Sequence, residues 1–129
     1  MMRDKLIELL NNSYAPYSNY KVGCILVTKD DKEFKGVNVE NASFGATICA
    51  ERSAILNAVS NGYTKGDFSK IYIMNSSDKI GTPCFICRQV FIEFFDMDME
   101  VIMYNNKFDE KILTVKDMCP YPFSEDDLK

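Results

Sequence analysis

Between Lys70 and Tyr104 two short apolar runs, KIYIMN and EVIMY, flank a longer apolar segment, Cys84–Phe95. The short runs read as buried strands and the long one as a helix. A strand–helix–strand succession places the helix on one face of a sheet and makes the two strands parallel neighbours, because a helical crossover returns the chain to the same end. This stretch commits the chain to an α/β arrangement. The remaining elements must complete that sheet or cover it.

Upstream, Leu6, Ile7, Leu9 and Leu10 among charged residues predict an amphipathic helix over 3–11, ended by the turn-rich NNSYAPYSNY. Val22–Thr28 (VGCILVT) reads as a buried strand, returned through the turn KDDK into Glu33–Val39 as a hairpin. A loop over 38–47 leads to a helix from about Ile48 to Ser60, stopped at Asn61-Gly62. Lys111–Val115 is a last short strand, and Leu128-Lys129 a frayed end. With 129 residues, 47% of them hydrophobic and 26% charged, the chain is expected to form one domain over 1–129 around a single core.

The net charge of −4 speaks against a nucleic-acid partner, since phosphate binding needs clustered Lys and Arg. No apolar run is long enough for a membrane span. The N-terminus turns polar at Asn11 and Asn12, too early for a secretory signal, so the cytoplasm is the expected compartment. There a disulfide framework is disfavoured, and the odd number of cysteines (Cys24, Cys49, Cys84, Cys87 and Cys119) agrees. The chain has no histidine, which removes every mechanism with an imidazole base.

The chemistry therefore concentrates in TICAERSA (47–54) and TPCFICRQ (82–89), each at an expected helix start. Helix N-termini present unpaired N–H groups and a positive dipole end, which favour thiolates. Cys84 and Cys87 lie one turn apart, so their sulfurs point the same way, and Cys49 can supply a third ligand. Three converging thiolates would bind one Zn²⁺ per chain, with the fourth position left to water. Glu51, two residues after Cys49, can serve that water as general acid and base. Three thiolates around Zn²⁺ leave a net charge of −1. Arg52 and Arg88, two of only three arginines in the chain, each follow a site motif and are expected to donate to the sulfurs. Cys24, within an apolar strand, and Cys119, beside Pro120, read as core residues. A lone CxxC could instead be a redox pair or half of a structural zinc clamp, so a non-catalytic zinc-stabilised or thiol-redox module stands as an alternative.

The combination Cys49-Ala50-Glu51 with Pro83-Cys84-Phe85-Ile86-Cys87 is the three-cysteine form of the zinc base-deaminase signature. With YAPYSNYKVG (14–23), GVNVEN (36–41) and PFSEDDL (122–128) in the same order, the chain resembles the small homotetrameric cytidine deaminases. That resemblance implies a three-layer α/β/α fold with a central mixed five-stranded sheet. It implies hydrolytic deamination of cytidine and 2′-deoxycytidine in pyrimidine salvage, by a homotetramer with shared active sites. It assigns Asn38 and Glu40 to the ribose and Tyr20 to the pyrimidine. Ala50 joins the substrate-contacting positions, and Phe123 is given to a neighbouring subunit's site. Phe85 and Ile86 are bulky where the family has small residues, which is expected to alter packing around the metal loop. Tyr20 stands where Phe is frequent, and Phe44 where Tyr is frequent. A blasticidin S-type deaminase shares the metal motifs; Glu40 separates the two, because a carboxylate suits ribose hydroxyls and that sister family resembles NVY here.

Overall fold

A computed structural model describes residues 1–129. Helix α1 (Met2–Leu10) precedes β1 (Val22–Thr28) and β2 (Glu33–Val37); α2 (Ala50–Ser60), β3 (Phe68–Asn75), α3 (Phe85–Phe94), β4 (Glu100–Tyr104), β5 (Glu110–Thr114) and a short α4 (Val115–Met118) follow. The five strands form one sheet in the order β2-β1-β3-β4-β5. Only β3 and β4 pair in parallel, joined by the α3 crossover; every other pair is antiparallel. The parallel pair expected from the strand–helix–strand run forms, within the mixed five-stranded sheet that the resemblance implied.

Strand alternation divides the apolar side chains between two faces. Cys24 and Leu26 of β1, Ile71 and Ile73 of β3, and Val101 and Met103 of β4 pack with Ala54, Ile55, Phe91 and Phe95 from α2 and α3 and their ends. Ile25, Val27, Met74, Ile102 and Tyr104 pack on the other face with Leu6 and Leu9 of α1. Helices thus cover both faces, giving three layers. The central strands are buried on both sides, which is why VGCILVT and EVIMY read as continuous apolar runs.

Several boundaries shift, each for a local reason. Helix α2 begins at Ala50 rather than Ile48, because Ile48 exchanges backbone hydrogen bonds with Val39 (2.9 and 3.0 Å) and leaves Cys49 in an extended conformation as N-cap. Strand β2 stops at Val37: the Asn38 side chain turns back onto β1, accepting from Val22 N–H at 2.9 Å. Strand β3 starts early, at Phe68, where it meets Thr28 across a register shift. The α2 stop is as expected, with Gly62 taking φ +94 just past the cap. Helix α4 was not foreseen, and a capping box between Thr114 and Asp117 opens it. The expected frayed end is instead a 3₁₀ turn, Glu125–Leu128, capped by Ser124 and Asp127.

Candidate active site

The first residues of α2 and α3 meet over the end of the sheet where β3 terminates. Cys49 and Cys84 are the N-caps of the two helices, and Cys87 lies one turn into α3. Their three sulfurs lie within 4.8 Å of one another. The Cys49–Cys84 separation is 3.8 Å and the Cys84–Cys87 separation 3.5 Å. A tetrahedral zinc with Zn–S bonds of ~2.3 Å needs sulfurs roughly 3.8 Å apart. The donor set and its spacing therefore fit a zinc ion with one position open to the cleft. All five cysteines are unpaired, and Cys24 and Cys119 are buried core residues outside the three-sulfur group.

The electrostatics suit a cation. The Cys49 thiol is pulled down to about 5, chiefly by a hydrogen bond from the Cys87 thiol and then by the Arg52 guanidinium. Cys87, holding the shared proton, moves the opposite way. Arg52 donates from Nη2 to Cys49 Sγ at 3.4 Å, while its buried Nε has no partner within the chain. Arg88 departs from expectation. It reaches no sulfur, donating instead to the Pro83 carbonyl (2.7 Å), the Met118 carbonyl (3.0 Å) and Thr82 Oγ1 (3.0 Å). Its guanidinium lies 4.4 Å from the Phe85 ring centroid. Arg88 thus clamps the β3–α3 loop to the end of α4. Phe85 and Ile86 do not crowd the cysteine cluster; their side chains turn to solvent.

Glu51, in the first turn of α2, is only 6% exposed. Burial is the main cause that raises its carboxyl to about 7; the Cys49 charge adds to this, while Arg52 and a backbone hydrogen bond oppose it. A carboxyl poised there can both accept and release a proton near neutrality. It lines a cleft of about 200 Å³ together with Tyr20, Asn38, Cys49, Ala50 and Cys84.

The nearly buried Asn38 is committed to holding the cleft wall, donating to the Tyr20 carbonyl at 2.7 Å and accepting from Ser13 Oγ and Val22 N–H. Glu40 lies in an adjoining hollow with Tyr17, Phe44 and Thr47. Its carboxylate accepts from the N–H groups of Tyr17 (3.0 Å) and Ser18 (3.1 Å) and from the Ser18 hydroxyl. Those bonds, the Ser18 hydroxyl first, hold it below the usual carboxylate range. Phe123 does not line its own chain's cleft. It lies along the outer side of α3, where Gln89 Nε2 donates to its carbonyl at 2.8 Å. Asn75, at the end of β3, and Gly81, in the loop before Pro83, are among the lining residues that the sequence did not single out. Asn75 did carry a signal, as the polar residue closing an apolar strand at the carboxyl end of a parallel pair, where α/β folds place ligands.

Comparison with known proteins gives a consistent picture. Residues 2–104 match the family described as the cytidine and deoxycytidylate deaminase zinc-binding region. The chain is 35% identical to a cytidine deaminase of Halalkalibacterium halodurans, covering 99% of this chain and 96% of that one. It is 41% identical to a probable cytidine deaminase of Dictyostelium discoideum, over 97% of this chain and 86% of the other. A crystal structure of cytidine deaminase from Burkholderia pseudomallei superimposes with a TM-score of 0.86 at 42% identity, covering 95% of this chain and all of that one.

Proposed function

The chain belongs to the cytidine and deoxycytidylate deaminase family, and from that premise we propose that it hydrolyses cytidine and 2′-deoxycytidine to uridine and 2′-deoxyuridine, releasing ammonia. The observation that carries this reading is the meeting of the Cys49, Cys84 and Cys87 sulfurs with the buried Glu51 carboxyl in one cleft. A zinc ion on the three sulfurs supplies Lewis acidity that makes water a nucleophile near neutral pH.

The rest is the work of side chains. Glu51 accepts one proton from the attacking water and delivers it to N3 of the pyrimidine; it then accepts the second, from the new C4 hydroxyl, and passes it to the amino group, so that ammonia leaves as the C4 carbonyl forms. Its burial keeps both protonation states within reach at pH 7. Arg52 offsets the negative charge of the thiolates through Cys49. Ala50 is the first residue of α2, so its N–H has no intrahelical acceptor and is free for a substrate oxygen. Glu40 serves the ribose, the bonds from Tyr17 and Ser18 holding it as an ionised acceptor for a sugar hydroxyl, and Asn38 joins it through the one amide hydrogen not given to the Tyr20 carbonyl.

A homotetramer with shared sites is the working unit in this reading. Phe44, Phe85, Ile86 and Phe123 are all more than half exposed, an apolar surface that subunit contact would cover. Such a protein acts on a free nucleoside rather than a polynucleotide, in keeping with the net charge of −4. Its unpaired cysteines suit the reducing cytoplasm, where pyrimidine salvage would be its role. No helix is long and apolar enough to cross a membrane.

The direct test is to incubate purified protein with cytidine, follow the loss of cytosine absorbance, and measure zinc in the same preparation. Turnover with about one zinc per chain is expected. Zinc-replete protein without turnover would overturn the catalytic reading in favour of a structural zinc module.

A further inference from the structure

Tyr20, Asn75 and Gly81 come from three separate segments and converge on one wall of the cleft that holds Glu51. Asn75 is 3% exposed, and its Oδ1 accepts the Ser77 N–H at 2.9 Å. That bond fixes the amide orientation and turns Nδ2 toward the cleft. A Cβ at Gly81 would lie 3.0 Å from Asn75 Nδ2 and only 2.5 Å from the Tyr20 hydroxyl oxygen. Gly81 is not among the glycines with positive φ, so the backbone there tolerates any residue. What the position excludes is a side chain, because the Tyr20 hydroxyl occupies the space. The next Tyr20 atom, Cζ, would be 3.9 Å away, an ordinary contact. The crowding at Gly81 from Tyr20 is thus due to the hydroxyl and not to the ring.

The Asn75 amide nitrogen and the Tyr20 hydroxyl both crowd the same point beside Gly81. Burial and then the Glu51 charge raise the hydroxyl's pKa, and the neighbouring Asn75 amide opposes them. Tyr20's hydrogen bonds are made by its main chain, through N–H to Ser18 Oγ and through its carbonyl from Asn38. The hydroxyl therefore donates to no acceptor within the chain, and its proton is left for one that enters the cleft.

Resting on the deaminase reading above, we infer that the Tyr20 hydroxyl, seated beside Asn75 in the space Gly81 leaves free, is a substrate-binding donor to an oxygen or nitrogen of the bound nucleoside. An aromatic ring alone could supply only a packing surface. The added hydroxyl makes this wall of the cleft polar and tightens recognition without taking part in proton transfer.

The test uses the zinc-loaded enzyme and cytidine. Tyr20→Phe removes the hydroxyl and keeps the ring; a lost hydrogen bond of ~1–1.5 kcal/mol corresponds to a KM increase of about tenfold. The kcat and zinc content should stay within about twofold. Gly81→Ala alone should raise KM comparably by displacing the hydroxyl, yet added to Tyr20→Phe it should raise KM no further. Three outcomes would overturn the inference: a Tyr20→Phe KM within twofold of wild type, a fall in thermal stability with no change in KM, or KM effects of the two substitutions that simply multiply. A wild-type enzyme inert toward cytidine would overturn the deaminase reading instead, before any variant is compared.

Discussion

Gly36 on β2 and Ala54 on α2 touch backbone to backbone. A Cβ at Gly36 would lie 3.0 Å from Ala54 Cα and closer still to Ala54 N and the Ala50 carbonyl oxygen. The helix that carries Cys49 and Glu51 at its start is seated directly on the strand, with no side chain between. Main-chain atoms cannot rotate away, so Gly36→Ala must lift α2. Overpacking of this kind costs ~1–3 kcal/mol. The variant should unfold at lower urea and bind zinc more weakly, because Cys49 moves relative to Cys84. Unchanged stability and zinc affinity would show that α2 tolerates displacement.

The zinc ligands separate from the other cysteines by experiment. Cys84→Ala should lose zinc and destabilise the fold, since the ion ties the starts of α2 and α3 together. Cys24→Ser should retain zinc although it places a hydroxyl in the core, where Cys24 is fully buried. Metal content by elemental analysis decides both. Zinc loss in the Cys24 variant would break the assignment.

The buried Glu51 carboxyl makes stability depend on pH. In the metal-free protein its carboxyl titrates near 7 against 4.5 for an ordinary glutamate, mainly because it is buried. The folded state thus binds this proton more tightly than the unfolded state. The contribution to stability is complete below about pH 4.5 and is lost as pH rises through 7. A displacement of that size corresponds to about 3 kcal/mol. Glu51→Gln removes it. The stability of the metal-free variant should gain on wild type by roughly that amount between pH 4.5 and 8, as measured by urea unfolding with chelator and reductant. Parallel stability curves would exclude the buried carboxyl as the source. In the zinc-loaded enzyme the same substitution should cut kcat by ~10²–10⁴ or more, because an amide cannot move protons.

The two arginines should part company. Arg52→Gln removes a donor from Cys49 Sγ, so activity and its pH profile should change more than unfolding does. Arg88→Gln breaks the clamp from Pro83 and Thr82 to Met118, so stability should fall first. Its loss should cost a few kcal/mol, three charge-assisted hydrogen bonds being involved. Equal effects of the two variants on the pH profile would return Arg88 to the thiolates.

These arginines also mark where the sequence could be read and where it could not. The cysteines, Glu51 and the parallel β3–β4 pair were legible because spacing along one helix or one crossover determines them. Both arginines directly follow a motif, and adjacency made them look equivalent. Arg52, three residues beyond Cys49, shares its face of α2 and reaches the sulfur. Arg88, four beyond Cys84, is equally placed by spacing, but its guanidinium is taken by the Pro83 and Met118 carbonyls and Thr82, which no local pattern announces. Asn75 and Gly81 meet Tyr20 only through the sheet, so no local pattern joins them. Helix α4 is a single turn, too short for hydrophobic periodicity, and only its Thr114–Asp117 capping box could have announced it.

Phe123 carries the proposed link between assembly and function. It sits in a PYPFS segment between Met118 and the final 3₁₀ turn, 57% exposed and outside the lining of its own cleft. The segment is nonetheless held: Gln89 binds the Phe123 carbonyl, and Lys65 pairs with Glu125 just beyond. An ordered segment offering an exposed aromatic ring is suited to filling a site on another copy, where the ring adds apolar area over the pyrimidine and excludes water. Phe123→Ala should therefore raise KM for cytidine while zinc content stays constant. Glu51→Gln should abolish turnover for the separate reason of proton transfer. In mixed tetramers of the two variants, some sites would combine an intact Glu51 from one subunit with an intact Phe123 from another. Those sites should regain low-KM turnover that neither parent possesses. Rescue should rise with the extent of subunit mixing, followed by native mass spectrometry. No rescue in confirmed mixed tetramers, or a fully active monomer at assay concentration, would eliminate the shared site.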